Sequence, residues 1–564
     1  MGCFCFLDKN GELLSFERWD SGERKYMKQE SLWQDGLVVA SFNKQLRPIS
    51  GLSLNGSRAR ARVLMLASLA LVLVVFLRLV YLQVWEGERQ ALFAINNRTE
   101  LVRKKAPRGL IVDRKDRPLV SNVWLPKASE KEEGVVSREY GYREALAHVV
   151  GYISQVREDE LGCYRGLCYE RGMLVGREGI EKVFEASLRG RDGGVVIELD
   201  AHGKQVRIIS ESEPVAGEKI SLSVDAELQK ISYEALAGRS GAVVILDMQG
   251  KVLASVSSPS FDPNWFTTQP DPPKLNEALK NEDKQYFLNR AVSGQYAPGS
   301  VFKPVVAYGG IMEKAIGVSE TIEDTGEIKV DRYRYGNWYF DKYGKTEGMI
   351  DVAQALARSN DVFFYRLGER MGVESIVNWA RKFGIGELTG IELPGESAGY
   401  LPTPLLKERR VGEKWFLGNT YHFAIGQGDL TASPLQIARM TLGLVSGRKC
   451  RVSILKDSKV DCQEIGLSKE AEEEVVEGMR RTCATGGTAY PFFDFEPTVL
   501  CKTGTAQHAG QKTESDLPHS WIIVAYPADN PELVMVVFLD AAGEGSSEAG
   551  PVARKILEGW KVIR

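Results

Sequence analysis

Tyr296-Ala297-Pro298-Gly299-Ser300-Val301-Phe302-Lys303-Pro304-Val305-Val306-Ala307-Tyr308 is the stretch whose reading decides the fold. Pro-Gly ends an irregular segment, and the apolar run from Pro304 reads as a helix, since proline is tolerated in a first turn where no intrahelical N–H is needed. Ser300 then belongs at a helix N-terminus. Lys303 follows one turn later on the same face, close enough for its amine to take the hydroxyl proton. The spacing S-x-x-K is weak by itself, because Ser41-Phe42-Asn43-Lys44, Ser446-Gly447-Arg448-Lys449 and Ser453-Ile454-Leu455-Lys456 match it equally well. Only Ser300 carries these flanks.

Two more motifs follow in order: Ser359-Asn360-Asp361 and Lys502-Thr503-Gly504-Thr505. Alone, Lys502-Thr503-Gly504 reads as readily as a surface turn. Behind Ser300 and Ser359 it completes the set S-x-x-K, S-x-N or S-x-D, and K-T-G, which belongs to serine acyl-transfer sites that β-lactams enter. The segment Thr498 to Ala506 reads as a strand, with alternate residues facing one side. Gly426-Gln427-Gly428 lacks the strand and trailing lysine of a phosphate loop and reads as a structural turn near the active site.

At 564 residues the chain exceeds what one core holds, so two or more domains are expected. Lys+Arg 72 against Asp+Glu 75 gives no reason to propose nucleic acid as a partner. The five His residues are scattered and no Cys/His cluster has metal spacing, so a mechanism with no metal and no cofactor is expected.

Val63 to Trp85 is apolar apart from Arg78 and Gln83, about the roughly 20 residues a spanning helix needs. No small-residue cleavage site follows, so an uncleaved anchor is expected rather than a removed signal peptide. Arg58, Arg60 and Arg62 precede it, and Glu86 and Glu88 follow. The positive-inside rule then places the N-terminus in the cytoplasm and everything after about residue 86 outside, as a single-pass protein of the cytoplasmic membrane. Cys163, Cys168, Cys450, Cys462, Cys483 and Cys501 would lie in an oxidising compartment. Sequence neighbours suggest Cys163–Cys168, Cys450–Cys462 and Cys483–Cys501, although six cysteines allow 15 pairings and free buried thiols are an equal alternative. A bridge at Cys501 would brace the strand carrying Lys502.

The first 57 residues are polar, without periodicity and without an assigned role. Ala106 to Arg114 and Pro118 to Asn122 read as a strand with a turn behind it, and Asp113-Arg114 as a structural ion pair. Lys127 to Glu133 reads as an exposed loop. Arg143 to Tyr152 and Gly176 to Phe184 read as helical pieces, with His148 packed or capping rather than a ligand. Ser210 to Gly217, punctuated by Pro and Gly, marks a domain boundary. Beyond it, Ala242–Asp247 and Lys251–Val256 form strand patterns about a turn, as do Ser520–Ala525 and Leu533–Leu539, with a last helix from Pro551 to Trp560. An α+β domain follows: an antiparallel sheet covered by helices and closed by the two ends of the domain. The organisation expected is a tail (1–57), an anchor (58–85), an extended pedestal (86–215) and a catalytic domain (216–564).

From Val63 onward the chain resembles the class B penicillin-binding proteins, monofunctional peptidoglycan D,D-transpeptidases. Besides the three motifs, the resemblance rests on Arg108-Gly109 with Asp113-Arg114, His148 to Tyr152, Ser258 to Asn264, Asn289-Arg290-Ala291, Gly390 to Glu396 and Ala424 to Gly428. Ser359-x-Asp361 and Lys502 to Gln507 look more like the elongation branch, penicillin-binding protein 2, than the division branch. The segment between Asn122 and Arg138 is much shorter than the head insertion usual in that branch, and the tail before the anchor is longer.

The resemblance implies a serine β-lactamase-like catalytic domain. Ser300 would be the nucleophile and Lys303 its base, with Ser359 carrying the proton and Asp361 holding geometry. Lys502, Thr503, Gly504 and Thr505 would bind the substrate carboxylate, and the N–H groups of Ser300 and Thr505 would form the oxyanion hole. Lys502 is also the candidate second cation that depresses Lys303. An ionised Asp361 would instead favour protonated Lys303, and both roles stay open. Stem peptides and β-lactams are the implied ligands, and a polytopic SEDS-type glycosyltransferase the implied membrane partner. A division-type enzyme, an inactive β-lactam-binding sensor or scaffold, and a β-lactamase are the alternatives. A sensor predicts several spans or a cytoplasmic protease-like domain, and a β-lactamase predicts a smaller chain with a carboxylate to activate water.

Overall fold

The computed structural model describes residues 55–89, 98–125, 135–164, 167–200, 202–267, 271–508 and 516–564. The expected tail and the charged stretch Lys127 to Glu133 lie outside them, apart from the tail's last residues. The chain divides into two units, Met1–Ala94 and Ile95–Arg564. In the first, leucine and valine on every side build helix α1 (Asn55–Val80), which ends in a wider turn at Tyr81–Trp85. Ala59–Trp85 is 27 residues long, roughly 40 Å at the helical rise, and contains an apolar stretch of mean hydropathy 2.8 whose side chains are exposed.

The second unit opens with two small sheets. One orders the strands Thr99–Lys104, Gly193–Leu199 and Gln205–Ser212, and the other Ile220–Ser221, Ile111–Val112, Pro118–Leu125 and Val135–Tyr140. Arg108 ties them to a helical turn: its Nε lies 2.6 Å from Glu181 and its Nη2 2.6 Å from Glu185. Buried Arg138 takes the other oxygen of Glu181 at 2.8 Å. Asp113 pairs with Arg117 at 2.6 Å, not with Arg114, because the tight turn between the strands brings residue 117 back onto the buried carboxylate. The expected helix at 143–152 is shorter, a 3-10 turn at Arg143–Ala145 and a single turn at Ala147–Val150. Gly176 is in a strand, Leu174–Gly176, paired with Ile153–Gln155, and its helix starts only at Gly179. His148 packs edge-on against Phe261, centroids 5.4 Å apart, and burial pushes its imidazole down to about 4. It is neutral packing, not a ligand.

The catalytic half is built on helix α2 (Ala226–Leu236) and strands β1 (Gly241–Asp247), β2 (Val252–Ser258), β3 (Leu500–Ala506), β4 (His519–Tyr526) and β5 (Leu533–Leu539). They form one antiparallel sheet in the order β2-β1-β5-β4-β3. Its strands lack polar alternation because both faces are covered. Val243, Ile245, Val537 and Val524 pack with Leu228, Ile556 and Leu557, so α2 and the last helix, Ala549–Ile563, cover that side. Val244, Leu246, Val536 and Ile523 face the larger helical core. That core contains α3 (Lys303–Met312), α4 (Val352–Arg358), α5 (Asp361–Lys382) and α6 (Pro434–Ser446).

All three suggested disulfides form: Cys163–Cys168, Cys450–Cys462 and Cys483–Cys501. Cys450 and Cys462 face each other across a two-stranded ladder. Cys483 ends the helix α7 (Lys469–Thr482), and its bridge fixes that end to β3.

Candidate active site

Ser300 sits in the 3-10 turn Gly299–Phe302 that runs directly into α3. The turn is held from below by Gly426, whose carbonyl accepts the Gly299 N–H at 2.8 Å. Gly426 has φ +75°, and a Cβ there would lie 2.2 Å from the Gly299 carbonyl oxygen. Gly426-Gln427-Gly428 is therefore a buttress of the nucleophile's turn rather than a ligand loop.

Lys303 is fully buried at the start of α3. Its Nζ donates to the Ser359 carbonyl at 2.7 Å, to Ser359 Oγ at 3.3 Å and to Asp361 Oδ1 at 2.7 Å. Among the described residues its hydrogen bonds run to those groups and none runs to Ser300 Oγ. Resting geometry thus commits the amine to the second motif, and apo contacts of this kind tighten only when substrate arrives.

The second motif sits between two helices. Ser359 ends α4 with φ +54°, a left-handed conformation that costs a residue with a Cβ roughly 1–3 kcal/mol and marks functional sites. Asn360 caps α5 by accepting the Phe363 N–H at 2.9 Å. Asp361 occupies the first turn of α5, where the helix dipole favours a carboxylate. Its N–H donates to Asn337 Oδ1 at 3.2 Å, and Trp338 Nε1 donates to the Arg358 carbonyl at 2.9 Å.

The third motif lies on the sheet's edge strand. Alternation along β3 puts Lys502 and Gly504 on the face of Leu500 and Ala506, toward the helical core. Thr503 and Thr505 take the other face. Lys502 is fully buried, with Nζ 3.0 Å from the Thr503 carbonyl. Burial first, and then the charge on Lys303, hold its ammonium well below the usual lysine range. Burial also lowers Lys303, but Asp361 opposes that shift. The charge coupling therefore falls on Lys502 rather than on Lys303, the reverse of the expectation that Lys502 depresses Lys303; Asp361 raises both amines but is hydrogen-bonded to Lys303.

Ser300, Ser359, Asp361, Thr503 and Thr505 line one cavity of about 640 Å³. Residues the sequence motifs do not include complete it. Thr488 Oγ1 lies 2.7 Å from Thr503 Oγ1. Gln427 Nε2 donates to the Thr505 carbonyl at 3.4 Å, and Thr505 Oγ1 accepts the Gly545 N–H at 3.2 Å. No local pattern announces Thr488 or Gly545. The aromatic run Tyr333-Arg334-Tyr335-Gly336-Asn337-Trp338-Tyr339-Phe340 is a signal for the remaining wall. The competing S-x-x-K sites have structural duties: Ser446 Oγ donates to the Leu442 carbonyl at 2.7 Å, and Ser453 Oγ to Glu392 at 3.1 Å. Ser41 lies outside the described residues.

Residues 241–558 match the family model of the penicillin-binding protein transpeptidase domain, and 131–222 that of the penicillin-binding protein dimerisation domain. The chain belongs to the penicillin-binding protein transpeptidases. It is 34% identical to the peptidoglycan D,D-transpeptidase MrdA of Haemophilus influenzae over 75% of this chain and 69% of the relative. Against MrdA of Escherichia coli K12 the identity is 31%, over 76% and 71%. Among solved structures, PBP2 of Pseudomonas aeruginosa in complex with WCK 5153 superposes with a TM-score of 0.71 at 28% identity, covering 82% of this chain and 96% of that one. A structure describing coordination of polymerization and crosslinking by a peptidoglycan synthase complex gives 0.73 at 28%, covering 90% and 99%. The two family models together account for most of the chain from residue 131 to residue 558.

Proposed function

We propose that this protein is an elongation-type peptidoglycan D,D-transpeptidase that cross-links stem peptides through an acyl-enzyme on Ser300. The observation that carries the reading is the meeting of three sequence-distant motifs at one cavity, with Lys303 bridging Ser359 and Asp361 at 3.3 and 2.7 Å behind Ser300. The elongation branch is supported by the relatives named MrdA.

In this reaction Ser300 Oγ attacks the carbonyl between two terminal D-alanines. Its proton passes to Lys303, and Ser359 relays a proton to the departing amine as the C–N bond breaks and D-alanine leaves. Burial makes the neutral amine of Lys303 accessible, and Asp361 aims it at Ser359 at the expense of basicity control. Thr503 and Thr505 hold the terminal carboxylate above buried Lys502. The N–H groups of Ser300 and Thr505 stabilise the oxyanion, each donor worth roughly 3 kcal/mol in such sites. An amine of a neighbouring stem peptide then takes the acyl group. A β-lactam in place of D-alanyl-D-alanine leaves Ser300 acylated.

The pedestal and catalytic domains divide near residue 215, the anchor runs about 58–85, and the N-terminus is cytoplasmic with the catalytic half outside. A SEDS-type glycosyltransferase is the membrane partner, supported by the likeness to the peptidoglycan synthase complex. Fluorescent penicillin labels the protein covalently, and Ser300→Ala abolishes labelling. Labelling of Ser300→Ala at the wild-type level would overturn the nucleophile.

A further inference from the structure

Arg358 is the last residue of α4, directly before Ser359, and its side chain joins three other segments. Its Nε donates to Glu347 Oε1 at 2.7 Å and its Nη1 to the Gly486 carbonyl at 2.7 Å. The guanidinium also lies over the rings of Trp338 and Tyr339, 5.6 and 5.1 Å from their centroids. The ion pair is sheltered, with side chains 22% and 13% exposed, so solvent screens it less than a surface pair. Arg358 does not itself line the cavity.

Each of those segments leads to a group that does. Gly486 lies in the loop after α7, and two residues on, Thr488 places its Oγ1 2.7 Å from Thr503 Oγ1 inside the cavity that Ser300 lines. A Cβ on the intervening Gly487 would lie 2.2 Å from the Thr482 carbonyl oxygen, so the loop folds tightly against the end of α7. Trp338 donates through Nε1 to the Arg358 carbonyl at 2.9 Å and through its N–H to Asp361 Oδ2 at 3.4 Å. The Glu347 N–H donates to Asp324 Oδ2 at 2.9 Å, an oxygen that also accepts Asn337 Nδ2 at 3.0 Å, and Asn337 Oδ1 accepts the Asp361 N–H at 3.2 Å. Two routes from Arg358 therefore end on Asp361 and one on Thr503.

Resting on the transpeptidase reading, we propose that Arg358 is a positioning residue for acylation, holding Thr488 against Thr503 and Trp338 against Asp361. The role needs arginine. Its planar fork sends separate N–H groups to Glu347 and to Gly486 while its face stays over the two aromatic rings, which the compact ammonium of a lysine cannot do at once. No motif contains Arg358, and the contacts that give it this role come from segments that meet only in the fold. Thr503 and Asp361 meet substrate and Lys303, whereas Arg358 acts on them through Thr488 and Trp338.

The test measures the second-order rate constant of acylation by fluorescent penicillin, using the full chain in detergent. The variants are Arg358→Met, Thr488→Val, Trp338→Phe, and Arg358→Met combined with each of the other two. Arg358→Met is expected to slow acylation roughly tenfold to a hundredfold, the size of effect that a displacement of about 1 Å has from outside the reacting groups. Independent contributions multiply, as those of a merely stabilising arginine would. Because Arg358 acts through its partners, each combination is expected to fall short of the product of its two single effects by more than about twofold. Arg358→Lys, which keeps the charge without the fork, recovers part of the rate. Should Arg358→Met melt below the assay temperature, the same comparisons are made in a Glu347→Gln background, where no carboxylate is left without its cation. A product matched to within about twofold with Thr488→Val overturns the hold on Thr503, and with Trp338→Phe the hold on Asp361. Arg358→Met that labels at the wild-type rate overturns the positioning role alone. Wild-type protein that takes no penicillin overturns the transpeptidase reading and this role with it.

Discussion

Two buried lysines with unequal partners set the chemistry at the scale of single residues. Asp361 raises Lys303 against the lowering by burial, so its removal leaves burial unopposed and shifts the amine further down. The acid limb of the rate of penicillin acylation against pH is therefore expected to move to lower pH in Asp361→Asn. A limb that stays put or moves up would show that Lys303 is not the titrating base. Lys502 is held low by burial and by Lys303, which carries a cost in stability. Its folded-state pKa lies below that of the unfolded chain, so the penalty is complete below the folded value and vanishes as pH rises through the unfolded one. Lys502→Met is expected to raise stability at neutral pH by roughly 1–4 kcal/mol, as replacing buried charge by apolar volume does elsewhere, while penicillin labelling is lost. Thermal unfolding at neutral pH and at pH near 10 checks this: the gap between variant and wild type narrows at the higher pH.

At the scale of elements, strand β3 owes its place to contacts that no motif encodes. The bridge from Cys483 to Cys501 ties it to the end of α7, and the loop after α7 delivers Thr488 to Thr503 at 2.7 Å. The double variant Cys483→Ala with Cys501→Ala is expected to lose roughly 3 kcal/mol, the entropy of closing a loop of this length. It should also label with penicillin several-fold more slowly, because Thr503 loses its hydroxyl partner. Melting curves and labelling time courses separate the two effects, and unchanged labelling would show that the bridge serves stability alone. The hairpins β1–β2 and β4–β5 were legible in sequence because their turns are local. The three cysteine pairs join sequence neighbours and were suggested on that ground, whereas which threonine faces Thr503 depends on chain segments brought together only in the fold. Gly176 shows the same limit from the other side: a helical pattern there yields to a strand pairing with Ile153.

At the scale of the whole molecule, the chain joins a helix suited to lipid with a catalytic unit that buries two large apolar clusters. The catalytic half was readable from the order of three motifs, and the anchor from the run Val63 to Trp85, apolar apart from Arg78 and Gln83. The pedestal was less so, since its order rests on pairings such as Ile220 with Ile111 and on the buried Arg108–Glu181–Arg138 cluster, where the pairing partners stand far apart in the chain. That cluster makes the pedestal sensitive to loss of one charge: without Glu181, Arg108 keeps Glu185 but buried Arg138 loses the carboxylate its Nε meets, and breaking a buried pair in this way costs about 3–5 kcal/mol. The unit from Ile95 onward holds the complete cavity and both sheets of the pedestal, so it is expected to act without α1. A truncated protein of residues 95–564 should be monodisperse without detergent and take fluorescent penicillin at the rate of the full chain. The full chain should stay with membranes after alkaline carbonate extraction, because α1 exposes leucine and valine on every side and water is a poor solvent for them. Introducing Glu181→Ala into the truncated protein tests the pedestal in the same assay. Loss of its folded state by melting would show that the catalytic half leans on the pedestal, whereas retained labelling at an unchanged melting temperature would make the two halves independent.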